Sequence, residues 1–261
     1  RSDDAGANWK QLNNDFGITV RPFYFSRIVV DPKNPDVVVK GGLSGSISRD
    51  GGKTFKDLGN MHSDIHDIVF DINDSDRMYA GTDGGVYRSW NGGTTMEIVE
   101  NLPLSQFYHI SLDNAEPYNI YGGLQDNGVW MGPHNSIESK RWNMTGKYPW
   151  KSILGGDGME VQIDNRNPNI VYTGSQFGFY SRLDLETGKR RSIKPVHELG
   201  QSPFRFNWQT PIRLSSHNQD VLYYGSNFLH KSTDKGESWK TISDDLTNGG
   251  KMGNVPYGTL T

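Results

Sequence analysis

One short pattern recurs five times along the 261 residues, and it limits the available folds more than any other feature. Each copy is a polar turn rich in Asp, Asn and Pro, followed by a brief apolar strand that closes on Gly. The copies are DPKNPDVVVKG, DINDSDRMYAG, DNAEPYNIYGG, DNRNPNIVYTG and SSHNQDVLYYG. Their fifth residues are Pro35, Ser75, Pro117, Pro168 and Gln219, so the intervals are 40, 42, 51 and 51 residues. Four short strands with variable loops fill such a period.

The runs RIVV, DIVF, YHISL, MEVQI and PIRLS precede the turns, and VVV, MYA, NIY, IVY and VLYY follow them. Apolar and β-branched runs on either side of Asn, Asp and Pro read as hairpins. A helical reading fails, because the runs lack a 3.6-residue period and are interrupted by Gly. Composition agrees: 31 Gly, seven Trp and twelve Tyr accompany a hydrophobic fraction of 34%. The expected fold is all-β, a β-propeller of four-stranded blades that is part of a larger propeller. A partial blade is expected at 1–26, with blades at about 27–58, 65–99, 107–143, 159–194 and 209–242. Residues 243–261 would form a tail or start the next blade.

A second repeat keeps the same phase. SRDGGKTF (Ser48 to Phe55), SWNGGTTM (Ser89 to Met96) and STDKGESW (Ser232 to Trp239) share one pattern, and SDDAGANW (Ser2 to Trp9) follows it loosely. In such a hairpin the Ser and Asp side chains bond nearby amides, Gly takes a positive φ and the aromatic covers the turn. The pattern resembles the Asp-box, or BNR repeat, of sialidase-like, sortilin-like and xyloglucanase-like propellers. HSDIHDIVFDINDSDRMYAGTDGGV, QFYHISLDNAEPYNIYGGLQDNG and FRFNWQTPIRLSS resemble large exported bacterial proteins of the sortilin-like or glycosyl-hydrolase-like type. The resemblance implies an extracellular, periplasmic or cell-surface location. Ser2, Asp4, Ser48, Asp50, Ser89, Asn91, Ser232 and Asp234 are expected to be structural, since equivalent residues on separate blades cannot converge on one ligand. GLQDNGVWMGPHN and YSRLDLETGKRRS stand where two further boxes would be.

Chemistry is expected at the opposite rim, where loops entering the first strand meet loops joining the second to the third. YFSR with Tyr24, HSDIHD, QFYH, GGDGME and FRFNWQ supply the first set; Asp83, the Gln125–Asn127 run, Gln176, Phe177, Asn227 and Phe228 supply the second. A funnel of rings, amides and carboxylates suits a polysaccharide or protein ligand at the central channel. The candidate ligand-binding residues are His66, Tyr108, Gln125, Asn127, Arg205 and Trp208. Asp64, Asp83, Asp126 and Asp157 are candidate acid and base for glycoside hydrolysis, which needs two facing carboxyls about 5–5.5 Å or 6.5–9.5 Å apart. The alternative for Asp126 and Asp157 is that each caps a turn beside Gly. His62, Asp64 and His66 would share one face of an extended strand. No orienting shell accompanies them, so a channel-lining polar strand is expected rather than a metal site.

Other classes fall away. A net charge of −3 gives no basic footprint for nucleic acid. No apolar run approaches a membrane span, and the absence of Cys removes thiol chemistry and thiolate-bound zinc. GGDG and TDGG do not open a helix, so no nucleotide loop and no cofactor is implied. The basic end of RLDLETGKRR reads as a solvated hairpin tip, and the sequons at Asn73 and Asn143 are of a kind that arises by chance. A sialidase would need an arginine triad and a Tyr–Glu pair, whereas only Arg27 and Arg205 fall near the rim. Sortilin-like receptors carry a Cys-rich module, which this chain lacks. The expected function is an exported or cell-surface propeller segment that binds a glycan or protein, or serves as scaffold within a larger protein. The alternatives are a xyloglucanase-like glycoside hydrolase and a peptide-binding receptor propeller.

Overall fold

The structure, a computed structural model, describes residues 1–22, 26–100, 102, 104–137 and 139–247. Tyr24 and the segment after 247 lie outside the described residues. Among the described residues, twenty strands form five four-stranded antiparallel sheets, each with its strands in chain order. The first holds β1 (Arg27–Val30), β2 (Val38–Gly41), β3 (Ser46–Ser48) and β4 (Lys56–Asp57); the second holds β5 (Ile65–Phe70), β6 (Met78–Thr82), β7 (Gly85–Ser89) and β8 (Glu97–Ile98). The third holds β9 (Phe107–Leu112), β10 (Asn119–Leu124), β11 (Gly128–Pro133) and β12 (Lys151–Leu154). The fourth comprises β13 (Gly158–Ile163), β14 (Ile170–Ser175), β15 (Phe179–Asp184) and β16 (Arg190–Ser192); the fifth comprises β17 (Ile212–Leu214), β18 (Leu222–Gly225), β19 (Leu229–Ser232) and β20 (Lys240–Thr241). The described residues also hold two short helices, α1 (Phe16–Thr19) before β1 and α2 (Lys140–Thr145) between β11 and β12. The third sheet departs from the expected limit at 143. Its outer strand begins only at Lys151, because α2 occupies the connection, capped by Ser139 and ended by Gly146 with φ +64°. No strand precedes Arg27 among the described residues, although Arg1 and Lys10 exchange backbone hydrogen bonds across the first Ser-Asp turn.

The five turns share one local chemistry. The first residue of each copy donates its N–H to the carbonyl of the seventh: Asp31 to Val37, Asp71 to Arg77, Asp113 to Asn119, Asp164 to Ile170 and Ser215 to Val221. Its side-chain oxygen accepts the N–H two residues on, from Lys33, Asn73, Ala115, Arg166 and His217 in turn. This is the Asx-turn that makes Asp and Ser favourable there. Burial works against the ionised carboxyl of Asp113, yet bonds from Asn119, Ala115 and the Tyr121 hydroxyl hold its pKa below the usual carboxylate range. The sixth residue then anchors the hairpin between the third and fourth strands. Its carbonyl accepts an N–H from Gly51 onto Asp36 (2.9 Å), Gly92 onto Asp76 (2.9 Å), His134 onto Tyr118 (3.0 Å), Leu185 onto Asn169 (2.8 Å) and Lys235 onto Asp220 (3.0 Å).

The Ser-Asp hairpins join third to fourth strands, at the same end of each sheet as the Asx-turns. Ser48, Ser89 and Ser232 hydroxyls accept the N–H groups of Gly52, Gly93 and Gly236 at 2.8–2.9 Å. The same hydroxyls donate to Asp50, Asn91 and Asp234, which in turn accept the amides of Thr54, Thr95 and Ser238. The Ser2–Asp4 turn repeats the arrangement, with bonds to the Gly6 and Asn8 amides. Bonds from Asn8 hold the Asp4 carboxyl at a pKa of about 2, and bonds from Ser238 and Ser232 do the same for Asp234.

The chain divides into two compact units, Arg1–Leu104 and Ser105–Thr261. In the first unit, Val39, Ile47, Ile65, Ile68, Met78 and Ala80 pack the first sheet against the second. In the second unit two such cores alternate with the sheets. Tyr121, Val129, Val161 and Val171 fill one; Tyr172, Tyr180, Ile193, Ile212, Leu222 and Tyr224 fill the other. Each fully buried large side chain contributes about 1.5–3 kcal/mol. In this second core the Tyr180 hydroxyl bonds the Thr210 carbonyl at 2.9 Å, Trp239 Nε1 bonds Ile193 at 2.8 Å and the Tyr224 hydroxyl bonds Gly178, whereas the Tyr172 hydroxyl is buried without a hydrogen-bond partner.

Two outcomes test the hairpin chemistry. Ser232→Ala removes three hydrogen bonds at a buried position and is expected to cost about 1–2 kcal/mol, read as a lower Tm in calorimetry. Asp234, with its pKa depressed in the fold, stabilises the hairpin above about pH 4 and ceases to do so as pH falls through about 2. Asn91 fills the equivalent place without a charge, so Asp234→Asn is expected to keep the fold while flattening the fall in Tm between pH 4 and pH 2.

Candidate functional site

At the other end of the sheets, three consecutive first strands lose register by one residue. Ile65 faces Thr82 but Asp67 faces Gly81, so His66 is the inserted residue of a bulge. Phe107 faces Leu124 and His109 faces Gly123, which leaves Tyr108 extra. Gly158 faces Ser175 and Val161 faces Thr173, so Met159 and Glu160 share one place. Such bulges redirect side chains that strict alternation would send elsewhere.

In the first unit, His66 Nε2 lies 2.6 Å from Asp83 Oδ1. Asp83 sits in the loop between the second and third strands and donates its N–H to the Asp64 carbonyl at 3.3 Å. The buried Asp64 carboxylate accepts Arg21 Nη1 at 2.8 Å. The expectation that His62, Asp64 and His66 share one face of a strand is corrected. Asp64 has φ +58° and lies before β5, and the bulge displaces His66, so period-two alternation never operates there. His62 Nδ1 instead lies 3.0 Å from the Ser63 carbonyl.

In the second unit a chain of contacts joins three predicted ligand-binding residues. Tyr108 donates its hydroxyl to Gln125 Oε1 at 2.6 Å, and Trp208 Nε1 donates to the Tyr108 hydroxyl at 3.2 Å. The Phe177 ring meets Trp208 edge-on, with centroids 5.3 Å apart at 83°. Phe177 has φ +58° and bonds the Trp208 carbonyl through its N–H at 3.1 Å, so both rings are held by backbone as well as side chain. Trp208 is 36% exposed, Phe177 45% and Phe179 55%. Sequence reasoning missed Phe179 and Lys194 here. The Lys194 ammonium lies 3.8 Å from the Phe179 ring centre and 4.4 Å from that of Phe206, and it donates to the Phe177 carbonyl at 2.8 Å. Burial lowers its pKa.

The other predicted residues of this unit make bonds within the protein. Asp126, with φ +60°, donates its N–H to Asp157 Oδ1 at 2.8 Å, so Asp157 caps the turn that Asp126 makes. Asn127 Nδ2 donates to the Gln125 carbonyl at 2.9 Å. Arg205 reaches Asp245 at 2.9 Å and Thr247 at 2.6 Å, and its N–H bonds Asn227. Bonds from the Thr247 hydroxyl and amide, and then from Asn227 and Arg205, hold the Asp245 carboxyl well below the usual range. Among the described residues, then, Asp64, His66 and Asp83 come together in the first unit. Tyr108, Gln125 and Trp208, with Asp126, Asn127 and Asp157 in the turn beside Gln125, belong to the second.

No family model matches the chain. Among curated proteins it is 24% identical to the xyloglucanase Xgh74A of Acetivibrio thermocellus, over 93% of this chain and 35% of that protein. The chain thus spans about a third of the length of the relative it matches. Among solved structures, an ancestral GH74 enzyme is 16% identical over 83% of this chain and 30% of its own, with a TM-score of 0.36. The GH74 xyloglucanase of Xanthomonas campestris is 15% identical over 84% of this chain and 30% of its own, at 0.27. YCF48 bound to D1 peptide is 11% identical over 80% and 65%, at 0.35. The similarity by sequence is therefore to a glycoside hydrolase, and it is partial and distant. No helix among the described residues is long and apolar enough to cross a membrane.

The close approach of β10 to β13 beside the Tyr108 and Glu160 bulges depends on Gly123. A Cβ there would lie 2.2 Å from the Gly158 carbonyl carbon. Gly123→Ala is expected to destabilise by about 1–3 kcal/mol through overpacking, and the lower Tm checks it.

Proposed function

We propose that this chain is a propeller segment of a larger exported protein that binds polysaccharide on the Trp208, Tyr108, Gln125 and Phe177 cluster. The observation that carries the reading is the bonded series Trp208–Tyr108–Gln125, exposed yet held in place. Rings of this kind stack on the apolar faces of sugars, and the hydroxyl and amide at their edge can exchange hydrogen bonds with sugar hydroxyls. Preorganisation limits the entropy lost on binding. The xyloglucanase similarity supports a glycan over a protein ligand.

The same similarity favours a second reading, glycoside hydrolysis by two of Asp64, Asp83, Asp126 and Asp157. Against it, Arg21 engages the Asp64 carboxyl and the Asp126 amide engages that of Asp157, so both are occupied by bonds within the protein. Calorimetric titration with xyloglucan oligosaccharides separates the two. Binding without new reducing ends, lost about tenfold or more in Trp208→Ala at unchanged Tm, is the expected outcome. Release of reducing ends that disappears in Asp126→Ala or Asp83→Ala, with binding kept, would establish the hydrolase.

A further inference from the structure

Within the second unit, one cross-strand row of side chains joins each sheet to the next. In the fourth sheet the row runs across β13 to β16 as Gln162, Tyr172, Arg182 and Arg191, each opposite the next. This face meets the fifth sheet. Tyr172 shares a buried core with Ile212, Leu222 and Tyr224, and Gln162 Oε1 accepts the Leu214 N–H at 3.2 Å. At the outer edge Arg182 Nη1 donates to the Lys235 carbonyl at 3.0 Å and Nη2 to Glu237 Oε1 at 2.7 Å, while Arg191 pairs with Glu237 Oε2. Glu237 directly follows Gly236 in the Ser-Asp hairpin of the fifth sheet, so two cations of one sheet hold an acid on the outer hairpin of the next. The third sheet presents the row Ser111, Tyr121, Met131 and Lys151 to the fourth. There Tyr121 is buried against Val161 and Val171, and Ser111 Oγ donates to the Val161 carbonyl at 2.6 Å.

The fifth sheet repeats the row as Arg213, Tyr223, Lys231 and Lys240. Strand alternation turns it away from the fourth sheet, toward which Ile212, Leu222 and Tyr224 point. Tyr223 stands where Tyr121 and Tyr172 stand, and Lys231 and Lys240 stand where Arg182 and Arg191 do. The Lys231 ammonium lies 5.8 Å from the Tyr223 ring centre. Tyr223 and Lys231 are half-buried, Lys240 is exposed, and the Arg213 side chain is 71% exposed. From this repetition we infer that the outer face of the fifth sheet receives a further four-stranded sheet of the larger protein. Lys231 and Lys240 grip an acidic residue that directly follows the Gly of that sheet's outer hairpin. The inference rests on the reading of the chain as a segment of a larger protein. Charge selects the occupant, because three cations and no acid make up the row, and an acid between two cations keeps its ionised form. A second copy of this chain offers no free acid of that kind. The residue after the hairpin Gly is Ala7, Lys53 or Thr94 in the other Ser-Asp turns, and Glu237 is already held. Residues 248–261 contain neither Asp nor Glu, so they cannot supply it.

Carbodiimide cross-linking and amine labelling of the full-length protein, mapped by peptide mass spectrometry, test the inference. Lys231 or Lys240 is expected to cross-link to an Asp or Glu that directly follows a hairpin Gly outside these 261 residues. Both are expected to label at least about tenfold more slowly than Lys189, which is exposed between β15 and β16. Lys231→Glu with Lys240→Glu is expected to lower the Tm of the full-length protein, and Lys231→Arg with Lys240→Arg to keep it. Should the charge-reversed variant fail to fold, labelling and cross-linking of the wild type decide. Lys231 and Lys240 labelling as fast as Lys189 would overturn the inference. Cross-links from either lysine between light and heavy isotope-labelled copies would overturn it in favour of self-association. Protection that appears only when oligogalacturonate is added would overturn it in favour of an acidic glycan. If the intact mass shows a protein of these 261 residues alone, the larger-protein reading fails and the inference with it.

Discussion

The backbone hydrogen bond from each outer hairpin to the sixth residue of its Asx-turn is the constraint on which the rest of the structure depends. It occurs in all five sheets, whatever the outer hairpin contains. Where a Ser-Asp hairpin is present, Gly51, Gly92 and Lys235 donate; where it is missing, His134 and Leu185 take over. The bond ties the two connections at one end of a sheet together, so strands of two to six residues keep one register. Such short strands would slip without it, because two or three ladder bonds specify register weakly. The Ser and Asp side chains then satisfy amides that the tight hairpin exposes.

With one end of every sheet held, the opposite end is free to vary. The bulges at His66, Tyr108 and Glu160 lie toward that end. A bulge costs a ladder bond and adds twist, which is tolerable where no hairpin staple has to be matched. In the second unit exposed rings at Trp208 and Phe177 meet the hydroxyl of Tyr108 and the amide of Gln125 there. The buried faces behind it are filled by Tyr172, Tyr180 and Tyr224, whose size makes up for the shortness of the strands.

Much of the architecture was legible because it is local. The Asx-turn spans seven residues and the Ser-Asp hairpin eight, so each is written whole in a continuous stretch of sequence. The two repeats in phase also placed the loops of the candidate site at one end of each sheet. The site was less legible. Tyr108, Gln125 and Trp208, all expected as ligand-binding residues, are joined by hydrogen bonds within the second unit, and Arg205, expected with them, bonds Asp245. Asp157 was read in two ways, and its bond to the Asp126 amide favours the turn. The third sheet took its outer strand from beyond 143 because α2 lies between β11 and β12, and the residues before that helix carry no periodicity to announce it.

By itself, then, the sequence determined the all-β class, the strand order within each sheet and the chemistry of both kinds of turn, since these follow from side chains bonding to backbone a few residues away. Only the tertiary structure decided which side chains meet. Trp208 reaches Tyr108 across 100 residues of chain, and Arg21 reaches Asp64 across 43. A one-residue slip in pairing reverses the direction of every side chain beyond it. Whether such a slip occurs at His66, Tyr108 or Glu160 depends on how close neighbouring backbones come, as Gly123 allows against Gly158. That distance is a property of packed sheets, and no run of residues states it.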